Sequence, residues 1–125
     1  MTKIINTPNA PAPIGPYSQA VKAGNLLFVS GQIPMDPATG ELMMADIKTE
    51  TIQVMENIKA ILTEAGVDFG NIVKTSIFLT DMKNFAVVNE VYGTYFTGNY
   101  PARETVQVAG LPKGVNVEIT VTAFM

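Results

Sequence analysis

Alternation of apolar and polar residues is clearest near the C-terminus, in Tyr100–Val108 and again in Val115–Ala123. That is the pattern of strands with one buried face. In the first run Ala102, Val106 and Val108 fall on one face, and Arg103, Thr105 and Gln107 on the other. In the second, Val117, Ile119 and Val121 share a face opposite Glu118, Thr120 and Thr122. The connecting Ala109-Gly-Leu-Pro-Lys-Gly114 has the composition of a tight reversal, so the two runs are predicted to pair as a hairpin. In a hairpin symmetric about that loop, Thr105 lies nearly opposite Glu118 and Arg103 sits diagonally from it, about 7–8 Å away. A guanidinium, a hydroxyl and a carboxylate would then converge on one sheet face.

Upstream, Lys3–Asn6 reads as a short strand. Thr7–Pro16 holds four prolines, too many for a helix or a central strand, and is predicted to be an ordered loop laid over the domain. Its two PxxP matches lack flanking basic residues, which argues against an SH3-type ligand. Gly24-Asn25 between the apolar runs Ala20–Ala23 and Leu26–Gly31 is a two-residue hairpin signal. Gly31 at the end of that strand would let a ligand approach the backbone, although taken alone the position favours a plain turn glycine. From Asp46 to Gly66, apolar residues recur at helical spacing, with Asp46 suited to the N-cap and Gly66 to the left-handed position beyond the C-terminus. Ile72–Thr80 is a strand rich in β-branched residues. A second helix, capped by Asp81 or Asn84, carries the stripe Phe85, Val88, Val91, Tyr92, Tyr95 and Phe96 and is stopped by Gly98 and Pro101. The order predicts an α+β domain, a mixed β-sheet with two helices packed on one face. Its other face is expected to carry Arg103, Thr105, Glu118 and Thr120 among apolar residues, and to be covered by another subunit.

Composition narrows the chemistry. The chain of 125 residues, 47% hydrophobic, fits a single domain spanning residues 1–125. No window approaches the roughly 18 apolar residues of a membrane span and the N-terminus lacks a signal-peptide core, so no membrane role and a cytoplasmic location are expected. Only 15% of residues are charged, and the mean hydropathy is +0.23, which hints at an oligomer with a large apolar interface. There is no Cys and no His, which excludes thiolate nucleophiles, imidazole bases and ordinary zinc sites. A net charge of −3 provides no basic footprint for nucleic acid. Catalysis, if any, must use Arg, Lys, carboxylates, hydroxyls, backbone groups or water.

Arg103 and Glu118 admit two readings. One is a cross-strand ion pair on an exposed face, worth about 0.2–1 kcal/mol. The other is a site: arginine offers a rigid fork of donors for a carboxylate, and a partly buried glutamate beside it can orient or deprotonate water. Burial would raise the Glu118 pKa and a neighbouring Arg103 would lower it, and the pattern alone leaves the balance open.

Gly15-Pro-Tyr-Ser-Gln-Ala20, Phe28-Val-Ser-Gly-Gln-Ile-Pro34, Asp36-Pro-Ala-Thr-Gly40, Pro101-Ala-Arg103 and Val117-Glu-Ile119 together resemble the reactive intermediate deaminases, the Rid or YjgF-type family, over essentially the whole chain. The resemblance implies a chorismate-mutase-like α+β fold and a homotrimer with active sites in the clefts between subunits. It also implies hydrolysis of 2-imino acids such as 2-iminopropanoate and 2-iminobutanoate to 2-oxo acids and ammonia, with no metal or organic cofactor. Such imines leak from pyridoxal-phosphate dehydratases acting on serine and threonine. Carried over by position, Arg103 would clamp the substrate carboxylate, Glu118 would hold or activate water, and Tyr17 would close the pocket. Ser30 and Gly31 would line it with backbone groups, and Asn89 would form a wall. Thr105 stands where bacterial deaminases of the family often carry Cys, and its hydroxyl can still hydrogen-bond substrate or water. Two rivals remain: a non-catalytic trimer that binds small carboxylates through Arg103, and RNA cleavage or translation inhibition. Turnover of freshly generated imine separates the first from an enzyme, and the acidic, His-free composition argues against the second.

Overall fold

The computed structural model describes residues 2–125. Six strands, β1 (Thr2–Ile5), β2 (Ala20–Ala23), β3 (Leu26–Gln32), β4 (Ile72–Leu79), β5 (Ala102–Gln107) and β6 (Val117–Phe124), form one sheet in the order β1-β2-β3-β6-β4-β5. Two helices, α1 (Ile47–Glu64) and α2 (Phe85–Gly93), cover one face. This is the expected mixed α+β architecture. Among the described residues no helix is long and apolar enough to cross a membrane.

Local signals act where they were read. Gly24, at φ +60°, turns β2 into β3 with Ala23 opposite Leu26. Asp46 caps α1 by accepting from the Thr49 N–H at 2.7 Å, which holds its carboxyl below the usual range, and Gly66 leaves the helix at φ +82°. The buried face of α1 (Val54, Met55, Ile58, Ile61, Leu62) packs into a core with Leu27, Val29, Ile77, Leu79, Val117, Ile119 and Val121. Gln19 fastens the proline-rich loop. Its buried amide accepts from the Thr7 N–H and donates to the carbonyls of Thr7, Ala10 and Pro11 at 2.7–3.2 Å.

The expected β5–β6 hairpin does not form. β4 lies between the two, parallel to β5 and antiparallel to β6. The reason is the strand–helix–strand connection: α2 carries the chain back across the sheet, so β5 starts again beside β4 in the same direction. The composition favours this order as well. β4 and β6 bury alternate apolar residues and occupy the interior of the sheet, whereas β5 carries Arg103 and Glu104 and lies at the edge. α2 is shorter than its stripe predicted. It ends at Gly93, leaving Tyr95 and Phe96 in the turn that follows, and Asp81 caps the single 3-10 turn before α2 rather than the helix itself.

Candidate active site

Register decides which side chains meet. Arg103 pairs with Thr75 of β4, and Thr75 with Val121 of β6; Thr105 pairs with Ile77, and Ile77 with Ile119. These rows face the helices, because Thr75, Ile77, Ile119 and Val121 are all buried in the core. Glu118 pairs with Phe78, and Phe78 with Val106, on the opposite face. Arg103 and Thr105 therefore do not share a face with Glu118 and Thr120, as the hairpin required. Within one chain the guanidinium and the carboxylate are separated by the sheet.

On the helix side, Arg103 lies along α2. One terminal N–H₂ donates to Asn89 Oδ1 at 2.8 Å, and its guanidinium carbon stands 5.1 Å from the centre of the Tyr92 ring and 5.8 Å from that of Phe85. Among the described residues the ion pair present is Lys74 with Glu104, at 2.9 Å on the outer face, so Arg103 has no carboxylate partner. Asn89, Tyr92, Gly93, Tyr100, Pro101 and Arg103 line an open cleft of about 470 Å³. Two residues along the same face of β5, the Thr105 hydroxyl is buried with no hydrogen-bond partner. A buried polar atom left unpaired is costly, and a ligand or water would relieve it. Tyr92 belongs to the core stripe as read, but its second contact, with Arg103, was not foreseen, nor were Phe85 beside the guanidinium and Tyr100 in the cleft. Only the i, i+4, i+7 spacing of Phe85, Asn89 and Tyr92 could have signalled the α2 contacts, and it needed Arg103 to be placed against α2; nothing in the pattern signalled Tyr100.

The other face holds the remaining candidates. Glu118 packs against Gly31: a Cβ built on Gly31 would stand 2.8 Å from Glu118 Cδ and 2.9 Å from Oε2. A side chain at this position would therefore displace the carboxyl beside it, a packing role that the sequence reading of Gly31 did not include. β3 also runs one residue beyond Gly31, with its register to β6 shifted between Val29 and Gln32. Burial raises the Glu118 pKa and Arg103 does not oppose it, as expected for groups on opposite faces. Ser30 donates its hydroxyl to the Ser18 carbonyl at 2.6 Å and its N–H to the Gln19 carbonyl at 2.9 Å. Its groups thereby moor the end of the loop that carries Tyr17. Tyr17 is half exposed, its hydroxyl accepting a 3.4 Å bond from the Ile14 N–H. Arg103, Asn89 and Thr105 thus lie on the helix side of the sheet, and Glu118, packed against Gly31, lies on the outer side.

Three known proteins are close. A RutC family protein of Pyrococcus horikoshii is 55% identical over 99% of this chain and 98% of its own length. The 2-iminobutanoate/2-iminopropanoate deaminase of Mus musculus is 49% identical over 97% and 90%. The crystal structure of E. coli TdcF with bound serine superposes with a TM-score of 0.94 at 47% identity, covering 98% of each chain. The family model described as Endoribonuclease L-PSP matches residues 7–125. With that match over nearly the whole chain and relatives about half identical to it, the chain belongs to the YjgF/Rid family.

Proposed function

We propose that the protein hydrolyses 2-imino acids, 2-iminobutanoate and 2-iminopropanoate among them, to 2-oxo acids and ammonia. The observation that carries this reading is Arg103: a half-buried guanidinium supported by an amide and two rings, without a carboxylate, beside an open cleft. An arginine held in this way has donors to spare for an incoming carboxylate. The naming of mammalian relatives as imine deaminases and the serine in E. coli TdcF agree with a small substrate bearing a carboxylate.

The chemistry asks little of the protein. The carbon of a protonated 2-imine is electrophilic, so positioning the substrate and delivering water suffice. Glu118, its pKa raised by burial, takes a proton from water as the oxygen bonds to the imine carbon. The resulting carbinolamine receives that proton on nitrogen, the C–N bond breaks to release ammonia, and the hydroxyl proton passes by way of Glu118 to that ammonia as the C=O forms. Water and the iminium acid thus become a 2-oxo acid and ammonium. Because one chain holds the clamp and the base on opposite faces of its sheet, the reading requires at least two copies. In this reading the copies form the closed ring of three that the family resemblance implies, with each Arg103 facing a neighbour's Glu118. The exposed Phe28, Val106 and Phe124 give the outer face an apolar surface for such packing.

The test is ammonia release with an amino-acid oxidase generating the imine in place. Wild type should accelerate release over the oxidase alone, and Arg103→Ala should abolish the acceleration with its circular dichroism unchanged. Binding of 2-oxobutanoate without acceleration would leave a carboxylate-binding protein instead. The RNA cleavage named in the family description finds no basic surface or imidazole here.

A further inference from the structure

Arg103 poses a physical problem. A partly desolvated cation needs support, and the commonest support, a carboxylate, would occupy the donors that a substrate carboxylate requires. The chain supports it differently. Phe85, Asn89 and Tyr92 stand at i, i+4 and i+7 on α2 and so form one stripe, against which the guanidinium lies. The face of an aromatic ring attracts a cation while accepting none of its in-plane N–H bonds. Asn89 takes one of the five N–H donors and leaves four.

Of the three, Tyr92 is the one fixed in place. It is 4% exposed, and its hydroxyl donates to Thr75 Oγ1 at 3.0 Å. Thr75 is itself fully buried and is the register partner of Arg103 on the adjacent strand. The Phe96 ring packs on Tyr92 at 4.8 Å between centroids. The ring is thereby tied to α2 through its backbone, to β4 through its hydroxyl and to the following turn through Phe96. Phe85, by contrast, is 37% exposed and has no such tether.

We propose that Tyr92 is the positioning residue of the arginine clamp: tethered to Thr75, its ring fixes the plane of the Arg103 guanidinium without neutralising its charge. The consequence for substrate binding rests on the carboxylate-clamp reading given above. The consequence for the arginine itself does not, which allows the two to fail separately.

The experiment follows Arg103 directly and then kinetically. Nitrogen-15 relaxation of the Arg103 Nε–H should give an order parameter near the rigid value of about 0.85 in wild type and below about 0.6 in Tyr92→Leu. Tyr92→Phe and Thr75→Val, which break the tether and keep the ring, should fall between. With imine generated in place, KM should rise about tenfold in Tyr92→Leu and about threefold in the two tether variants, with kcat nearly kept. Asn89→Asp, which gives the guanidinium a counter-ion, should raise KM about tenfold while the thermal midpoint holds or rises. A general packing defect cannot produce that pair of signs.

The proposal is overturned if Arg103 stays as rigid in the Tyr92 and Thr75 variants as in wild type. It is likewise overturned if KM is unmoved while only the melting temperature falls. Should Tyr92→Leu fail to fold, the two tether variants decide by the same criteria. If Arg103 loosens as expected but neither wild type nor variants turn over imine or bind 2-oxobutanoate, the positioning role stands and the clamp reading fails.

Discussion

Placing Arg103 and Glu118 on opposite faces of one sheet leads to a complementation experiment. Arg103→Ala and Glu118→Gln should each be inactive alone, yet regain activity when their subunits are mixed. Suppose every site takes its arginine from one copy and its glutamate from the next in a closed ring. A site is then intact when the first subunit is the Glu118→Gln chain and the second is the Arg103→Ala chain. With equal amounts and random assembly, each condition holds half the time, so about one site in four is complete, whatever the number of subunits in the ring. Co-expression of the two variants under different affinity tags, with capture of mixed oligomers, provides the material. Ammonia release is then measured with the imine generated in place. Activity near a quarter of wild type is the expected result for the unselected mixture. Activity no greater than the sum of the two variants assayed separately would refute a site shared between copies, and with it the separation inferred from the strand register.

Three residues carry the further predictions. Glu118→Gln should lower kcat far more than it changes KM. Activity in wild type should rise with pH through a limb above the ordinary carboxylate value of 4.5, because burial raises the Glu118 pKa. A raised pKa means that this residue favours the folded state most when protonated and that the contribution is lost as pH rises through its folded pKa, so the Gln variant should melt no lower than wild type at pH 7. Differential scanning calorimetry and a pH–rate profile check these outcomes, and a clear loss of thermal midpoint would mean that the Glu118 carboxylate serves stability instead. Gly31→Ala puts a methyl group within 2.8 Å of the Glu118 carboxyl carbon, and the displaced carboxyl should cost about tenfold in kcat, with folding retained; kcat within twofold of wild type would contradict the geometry. Glu50, 1% exposed on α1, accepts from the Asn116 N–H at 3.0 Å and its side-chain amide at 2.6 Å. Glu50→Ala orphans both donors and should destabilise by about 2–4 kcal/mol, read from the urea midpoint at fixed protein concentration.

Much of this protein was legible from pattern. The caps of α1, the Gly24 turn and the alternation in β6 are properties of residues near one another in the chain, so local chemistry was enough to place them. Candidate residues could be named as well, because with no Cys or His the choice was narrow and Arg103 and Glu118 stand in strands whose alternation is plain. What could not be read was which face each of them shares. Alternation gives the two faces of a strand but not which one meets the core, and for β5 the local pattern pointed the wrong way: Ala102 and Val106 are exposed, while Arg103 and Thr105 turn toward the helices. That choice was made by pairing. β4 buries Thr75, Ile77 and Leu79, and a parallel neighbour in register must place Arg103, Thr105 and Gln107 on the same side. The arrangement is tolerated because β5 is an edge strand, where α2 supplies an amide and aromatic rings in place of a closed apolar core. Strand order is a long-range competition for the buried interior of the sheet. It was decided by the return of the chain through α2, and it alone placed the guanidinium and the carboxylate on opposite faces.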